Sequence, residues 1–237
     1  MARPRETRPD GLLGLSGMAE LDRTRWIELL SRLGGRDPDL RQLAELQGAY
    51  SEAHRYYHNV THLRGCLKLC DALRDHFRQP DEAELALWYH DAVYRTRSDH
   101  NEADSADWAR RFCESSGIGA EAGARVAELI LNTAHGEQSL EGDAALVCDI
   151  DLAILGFPAA AYDDFEQRIR REYHWVEEDQ FIEARLAILR GFLSRAQIYR
   201  SAALRPVLED SARANLRRWV ERWSQRAATA PPLRQAI

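Results

Sequence analysis

Apolar residues recur along this chain at three- and four-residue spacings. No run shows the sustained apolar–polar alternation of a half-buried strand. The spacing predicts helices over 19–33, 38–50, 58–77, 81–93, 101–115, 120–133, 143–155, 159–173, 177–195 and 203–223. The segment from His58 to Phe77 shows the pattern well, with Val60, Leu63, Leu67, Leu69, Leu73 and Phe77 along a broad apolar side. Gly34-Gly35, Gly117, Gly136 and Gly156-Phe157-Pro158 supply stop signals. Pro80 opens the fourth helix, with Asp81 and Glu82 in its first turn, where the helix dipole favours acids. With no internal repeat and no linker, the expectation is one all-α domain over 18–224, a helical bundle of about nine to ten helices. Residues 1–17 read as a disordered leader, with Met18 a candidate true start. Residues 225–237, with Pro231-Pro232, read as a flexible tail.

Composition narrows the function classes. The chain has 237 residues and a net charge of -6. That length supports a substantial core. That charge, with no dominant basic stripe, argues against a nucleic-acid polymer as partner. The basic clusters at Arg168–Arg171 and Arg213–Arg218 are interleaved with acids or apolar residues and read as solvated helix faces. The four cysteines, Cys66, Cys70, Cys113 and Cys148, form no CxxC pair. Cys66 and Cys70, one helical turn apart, read as small hydrophobes. The reading is a reduced, cytoplasmic protein. No apolar run approaches the roughly 20 residues needed to span a bilayer, and residues 1–10 lack the apolar region of a signal peptide.

The candidate chemistry sits in two histidine segments and one acidic one. His54-Arg55-Tyr56-Tyr57-His58-Asn59-Val60-Thr61-His62 places histidines four residues apart, and helical neighbours at that spacing share a face. His90-Asp91 follows within Leu87–Tyr94. Cys148-Asp149-Ile150-Asp151-Leu152 sets carboxylates inside an apolar run, where they are costly to bury unless paired or metal-bound. Neutral imidazole and carboxylate are the usual ligands of a catalytic divalent metal. His62, His90, Asp91 and Asp151 therefore read as one metal site. His54, His76, His100 and His174 read as surface or satisfied polar residues.

The ordered combination of Tyr57-His58-Asn59-x-x-His62, His90-Asp91 and a distant Asp resembles the HD superfamily of metal-dependent phosphohydrolases. The resemblance spans roughly residues 18–224. It is closest to a group of bacterial predicted HD phosphohydrolases, through Tyr50-Ser51-Glu52-x-x-Arg55-x-Tyr57-His58, Trp88-Tyr89-His90-Asp91-x-Val93-Tyr94, Asn101-Glu102-x-x-Ser105-Ala106 and Asp149-x-Asp151-Leu152-x-Ile154-Leu155-Gly156. It implies an HD-type helical domain and makes His62, His90, Asp91 and Asp151 the ligands of a divalent ion: Mn, Fe, Co, Ni, Mg or Zn. Asp-Leu-x-x-Leu-Gly aligns Asp151 rather than Asp149 with the family's closing Asp, leaving Asp149 to orient a ligand. Asp91 and His58 are the catalytic candidates, with His58 donating a proton to the leaving group. Arg55 would grip a phosphate with its planar fork. Glu102 and His135 are candidates for an outer shell or a second metal. The implied activity is that of a phosphohydrolase or phosphodiesterase acting on a nucleotide or another small phosphorylated metabolite through metal-activated water, with no membrane partner and room for a homodimer. Two alternatives stay open: a di-iron oxygenase on the same scaffold, and a non-catalytic ligand-binding module.

Overall fold

A computed structural model of the chain describes residues 20–136 and 140–229. Within them lie ten α-helices and no strand: α1 (Arg23–Arg32), α2 (Arg41–Tyr50), α3 (Val60–Ala72), α4 (Pro80–Tyr89), α5 (Asn101–Ser116), α6 (Ala120–Asn132), α7 (Gly142–Asp151), α8 (Ala159–Glu172), α9 (Glu178–Ser194) and α10 (Arg205–Thr229). The all-helical expectation holds. No single helix among these residues is long and apolar enough to cross a membrane. The expected leader at 1–17 and Met18 lie outside the described residues.

Local chemistry accounts for the helix starts. Asp22 caps α1 by accepting from Arg25 N at 3.0 Å. Asp37 accepts from Gln42 N and Leu43 N at the start of α2 and from Trp26 Nε1, so one carboxylate joins two helices. Asn59 caps α3 through Thr61 N at 2.9 Å. Gly117, at φ +95, ends α5 in the left-handed conformation that glycine adopts without a Cβ clash.

Two helices are buried along nearly their whole length. In α4, every residue from Glu82 to Tyr89 is inside, and α1, α3, α5, α6 and α7 pack around it. Its Glu84 is tolerated there because Arg25 and Arg32 bond its two oxygens at 2.7 and 3.0 Å. In α7, Ala145 to Ile150 are all buried. A 3-10 turn at Leu152–Gly156 continues α7 onto α10. A Cβ on Gly156 would meet Leu208 Cβ at 2.7 Å, so glycine there permits the close approach of α10. Asn215 of α10 locks the turn by donating to Leu155 O and Phe157 O.

Several helix boundaries differ from the sequence expectation. The third helix starts at Val60, after its cap, so His58 precedes the helix. It ends at Ala72, with a 3-10 turn at Arg74–His76 replacing its last turn. The fourth ends at Tyr89 instead of continuing to Val93, because Arg55 draws the carbonyls of Asp91 and Ala92 out of any helical ladder. The last runs to Thr229, beyond the expected tail boundary: Arg226 pairs with Glu178 of α9 and lies over the Trp223 ring. Residues 230–237 lie outside the described residues.

Candidate metal centre

The buried helices α4 and α7 both end at the same place. His90 and Asp91 follow the last residue of α4, Asp151 is the last of α7, and His62 comes from the first turn of α3. Helix C-termini carry partial negative charge, so the ends of α4 and α7 together favour a cation.

Nitrogen and oxygen atoms of four side chains converge. His62 Nε2 lies 3.0 Å from His90 Nε2, 3.3 Å from Asp91 Oδ2 and 3.2 Å from Asp151 Oδ1. His90 Nε2 lies 3.1 Å from Asp91 Oδ2 and 3.4 Å from Asp151 Oδ1. Ligands held about 2.0–2.2 Å from one ion lie roughly 3–3.5 Å from one another, so these separations suit a shared metal. Asp91 Oδ2 is buried, yet no donor is aligned with it. An unpartnered buried carboxylate oxygen is costly, and a cation between the four groups removes that cost. His90 Nδ1 is 2.8 Å from Leu87 O, a contact that leaves Nε2 facing the cluster.

Cys66 joins the cluster. Its Sγ lies 3.7 Å from His62 Nε2, and ligand atoms of His62, Cys66, His90 and Asp151 all fall within 4.8 Å of one another. These residues could hold a metal ion. Cys66 packs in the hydrophobic core as expected, and its sulfur also faces the cluster. Its place four residues after His62 was the available signal.

The charges of the cluster are strongly displaced. Burial works against the charged forms of His62 and His90. Facing thiol, phenol and carboxylate groups outweigh it and hold both imidazoles well above their ordinary value. Burial likewise opposes ionisation of Asp91 and Asp151. The facing histidines prevail and hold both carboxyls well below the usual range.

His135 bonds the other oxygen of Asp151 through Nε2 at 2.7 Å, so it orients that carboxylate. It does so from a left-handed backbone, φ +55, which a non-glycine residue adopts only at a cost of roughly 1–3 kcal/mol. Glu102 stands apart from the cluster, on the wall of a cavity that His58, His135 and Asp151 also line. Asp149 lies two residues before the end of α7, and its carboxylate is engaged away from the cluster. Its oxygens accept from Arg200 N and Ser201 N at 2.9 and 2.6 Å, anchoring the segment between α9 and α10.

His58 reaches the site from outside α3. Its ring centroid lies 5.8 Å from that of His62, and it stacks on Tyr94 at 4.1 Å. Its Nδ1 faces Glu172 Oε2 at 2.7 Å. Glu172, from the end of α8, is buried and also accepts from Tyr57 N, His58 N and Tyr94 Oη. Burial alone would raise its carboxyl, but the His58 and backbone hydrogen bonds hold it below the ordinary value. No sequence motif marked Glu172, because its partners lie 78 to 115 residues upstream.

Arg55 is placed otherwise than expected. Its Nη1 donates to Asp91 O at 2.5 Å and His58 O at 3.3 Å, its Nη2 to Ala92 O at 3.0 Å, and its Nε to Glu52 at 2.9 Å. Its side chain is 1% exposed. A guanidinium wrapped on backbone carbonyls has no fork left for a phosphate. Arg55 instead fixes the turn that carries His90 and Asp91.

Two cavities flank the cluster. One, of 330 Å³, lies between α3 and α8 and is lined by His62, Cys66, Leu69, Ile150, Asp151 and Phe157 among others. The second, of 400 Å³, opens beside His58, Glu102 and His135 and is walled by Tyr94, Tyr173, Phe181 and Phe192. Comparison of the chain with protein-family models, curated proteins and solved structures finds no match.

Proposed function

We propose that this protein is a metal-dependent phosphoric-ester hydrolase of the HD type, acting on a small phosphorylated molecule. The observation that carries the reading is the convergence of His62, His90, Asp91 and Asp151 with His58 one ring away on a cavity wall. A divalent ion bound there would acidify a water and offset charge on phosphoryl oxygens. The protein's own groups supply the rest. His58, with Nδ1 against Glu172, keeps Nε2 for the leaving oxygen, and a positioned imidazole typically contributes roughly 100- to 10,000-fold. Glu172 fixes the ring, as a carboxylate behind a catalytic histidine does. The sequence resemblance to the HD phosphohydrolases adds support to the ordered ligand set.

Elemental analysis of the purified protein, followed by a phosphate-ester panel with and without chelator, tests the reading. Stoichiometric metal and chelator-sensitive hydrolysis are expected. Bound metal without turnover of any ester would reduce the protein to a ligand-binding module, and absence of metal under all loading conditions would overturn the site itself.

A further inference from the structure

We infer that the site accepts a phosphodiester with two apolar arms, its phosphorus at the cluster, with the departing arm in the cavity beside His58 and the retained arm in the cavity over α3. This rests on the hydrolase reading above and names its substrate class.

The two cavities are neighbours divided by a shared wall. Tyr57, Ile154 and Phe165 line both, and so does Asp151 of the cluster. Tyr57 and Phe165 meet edge to face at 4.5 Å, closing the partition. A group seated at Asp151 therefore has an apolar chamber on each side. A monoester has one organic arm and would leave one chamber unused, whereas a diester has two. The chambers are also inequivalent. His58 lines only the aromatic one, so the oxygen it can protonate points there.

The room over α3 is kept at a cost. Gly65 sits in the middle of α3 on the cavity wall, one turn from Thr61 and Leu69, which also line it. A Cβ placed there would meet nothing within 4 Å. Glycine inside a helix costs about 1 kcal/mol relative to alanine, and no backbone contact here requires it. What the missing side chain leaves is space.

Charge argues for a single phosphoryl group. Among the described residues, the arginines on these walls already face carboxylates: Arg168 with Asp164, and Arg185 with Glu166 in a two-point contact. A polyphosphate would need further cations. In the hydrolysis of such a diester, a water oxygen joins phosphorus as the bond to the departing oxygen breaks. That oxygen takes a proton from His58 and leaves as an alcohol through the aromatic chamber. One water proton replaces the one His58 gave up, the other stays on the monoester, and the monoester remains over α3.

The test compares bis(p-nitrophenyl) phosphate, p-nitrophenyl phosphate and ATP on manganese-loaded protein. Wild type should favour the diester in kcat/KM over both others by about tenfold or more, the scale on which an apolar subsite discriminates. Gly65→Leu, which fills the chamber, should lower the diester-to-monoester ratio by about tenfold. Ala161→Leu, on the opposite wall, should do the same and carries the test if Gly65→Leu does not fold. An unchanged ratio in the folded variants, or ATP as the better substrate, overturns the inference. If loaded wild type hydrolyses none of the three, the hydrolase reading fails, and titration with diphenyl phosphate followed by tryptophan fluorescence decides the inference alone. Saturable binding that weakens in the variants supports the two-armed ligand; no binding overturns it.

Discussion

Replacing Arg55 should damage the fold and the metal site together. The guanidinium serves three backbone carbonyls, those of His58, Asp91 and Ala92, plus the half-exposed Glu52. Each buried carbonyl left without a donor costs roughly 1–3 kcal/mol, while the Glu52 pair, at a partly exposed position, adds little. The losses are not additive, because the turn can relax, so about 3–5 kcal/mol is expected for Arg55→Ala. For a chain of this length about 2–4 °C of melting temperature accompanies each kcal/mol, which gives a fall of roughly 6–20 °C. Arg55→Lys keeps the charge, but one ammonium cannot span carbonyls that the planar fork reaches from two nitrogens. About 2 kcal/mol, or roughly 4–8 °C, should be lost. The same turn presents His90 and Asp91, so metal affinity should fall about 10- to 100-fold in Arg55→Ala, as when the partners that orient a ligand are removed. Differential scanning fluorimetry with elemental analysis reads both quantities. If Arg55→Lys melts like wild type, keeps its metal and loses only kcat/KM, the guanidinium meets substrate and the anchoring role is refuted.

Removing a ligand should empty the site: His90→Ala or Asp91→Ala should abolish stoichiometric metal, and unchanged content in both would sink the cluster assignment. Glu172→Gln should slow hydrolysis of poor leaving groups by roughly 10- to 1,000-fold at unchanged metal content, with p-nitrophenyl esters much less affected; an equal loss on both leaving groups would mean that Glu172 only holds structure. Since Glu172 is held below its ordinary value, its contribution to stability should be present above about pH 4.5 and disappear as pH falls through the lower folded value, a loss that acid unfolding of Glu172→Gln should lack. His62 and His90 are held well above 6.5, so the metal-free cluster carries protons at pH 7 that a metal must expel. Metal affinity should therefore rise with pH, and calorimetry in buffers of different ionisation enthalpy should show proton release; none at pH 7 would contradict the charge state.

What the sequence made legible follows from range. Helix periodicity is local, and the apolar spacing that predicted α3, α5 and α6 survives in the fold because tertiary packing uses the same faces. Adjacency made His90-Asp91 conspicuous, and an apolar run made Asp151 so. The i,i+4 relation between His58 and His62 reached the right pair for the wrong reason. Asn59 caps α3 after His58, and the two rings meet through Glu172 and Tyr94 holding His58 in place, not through a shared helical face. The same spacing placed Cys66 beside His62, but a cysteine in an apolar stripe looks identical whether it packs on leucine or on imidazole. The residues that escaped notice or were read for another role are those that hold the legible ones. Glu172 supports His58 across 114 residues, and Arg55 shapes the Asp91 turn across 36. Such pairings leave no period and no spacing. A glutamate ending a helix reads as a solvated end, and an arginine near histidines reads as a phosphate clamp. Each is assigned only when burial and the direction of its donors or acceptors are known, which is why the cluster residues stood out in the chain while the roles of Glu172 and Arg55 did not.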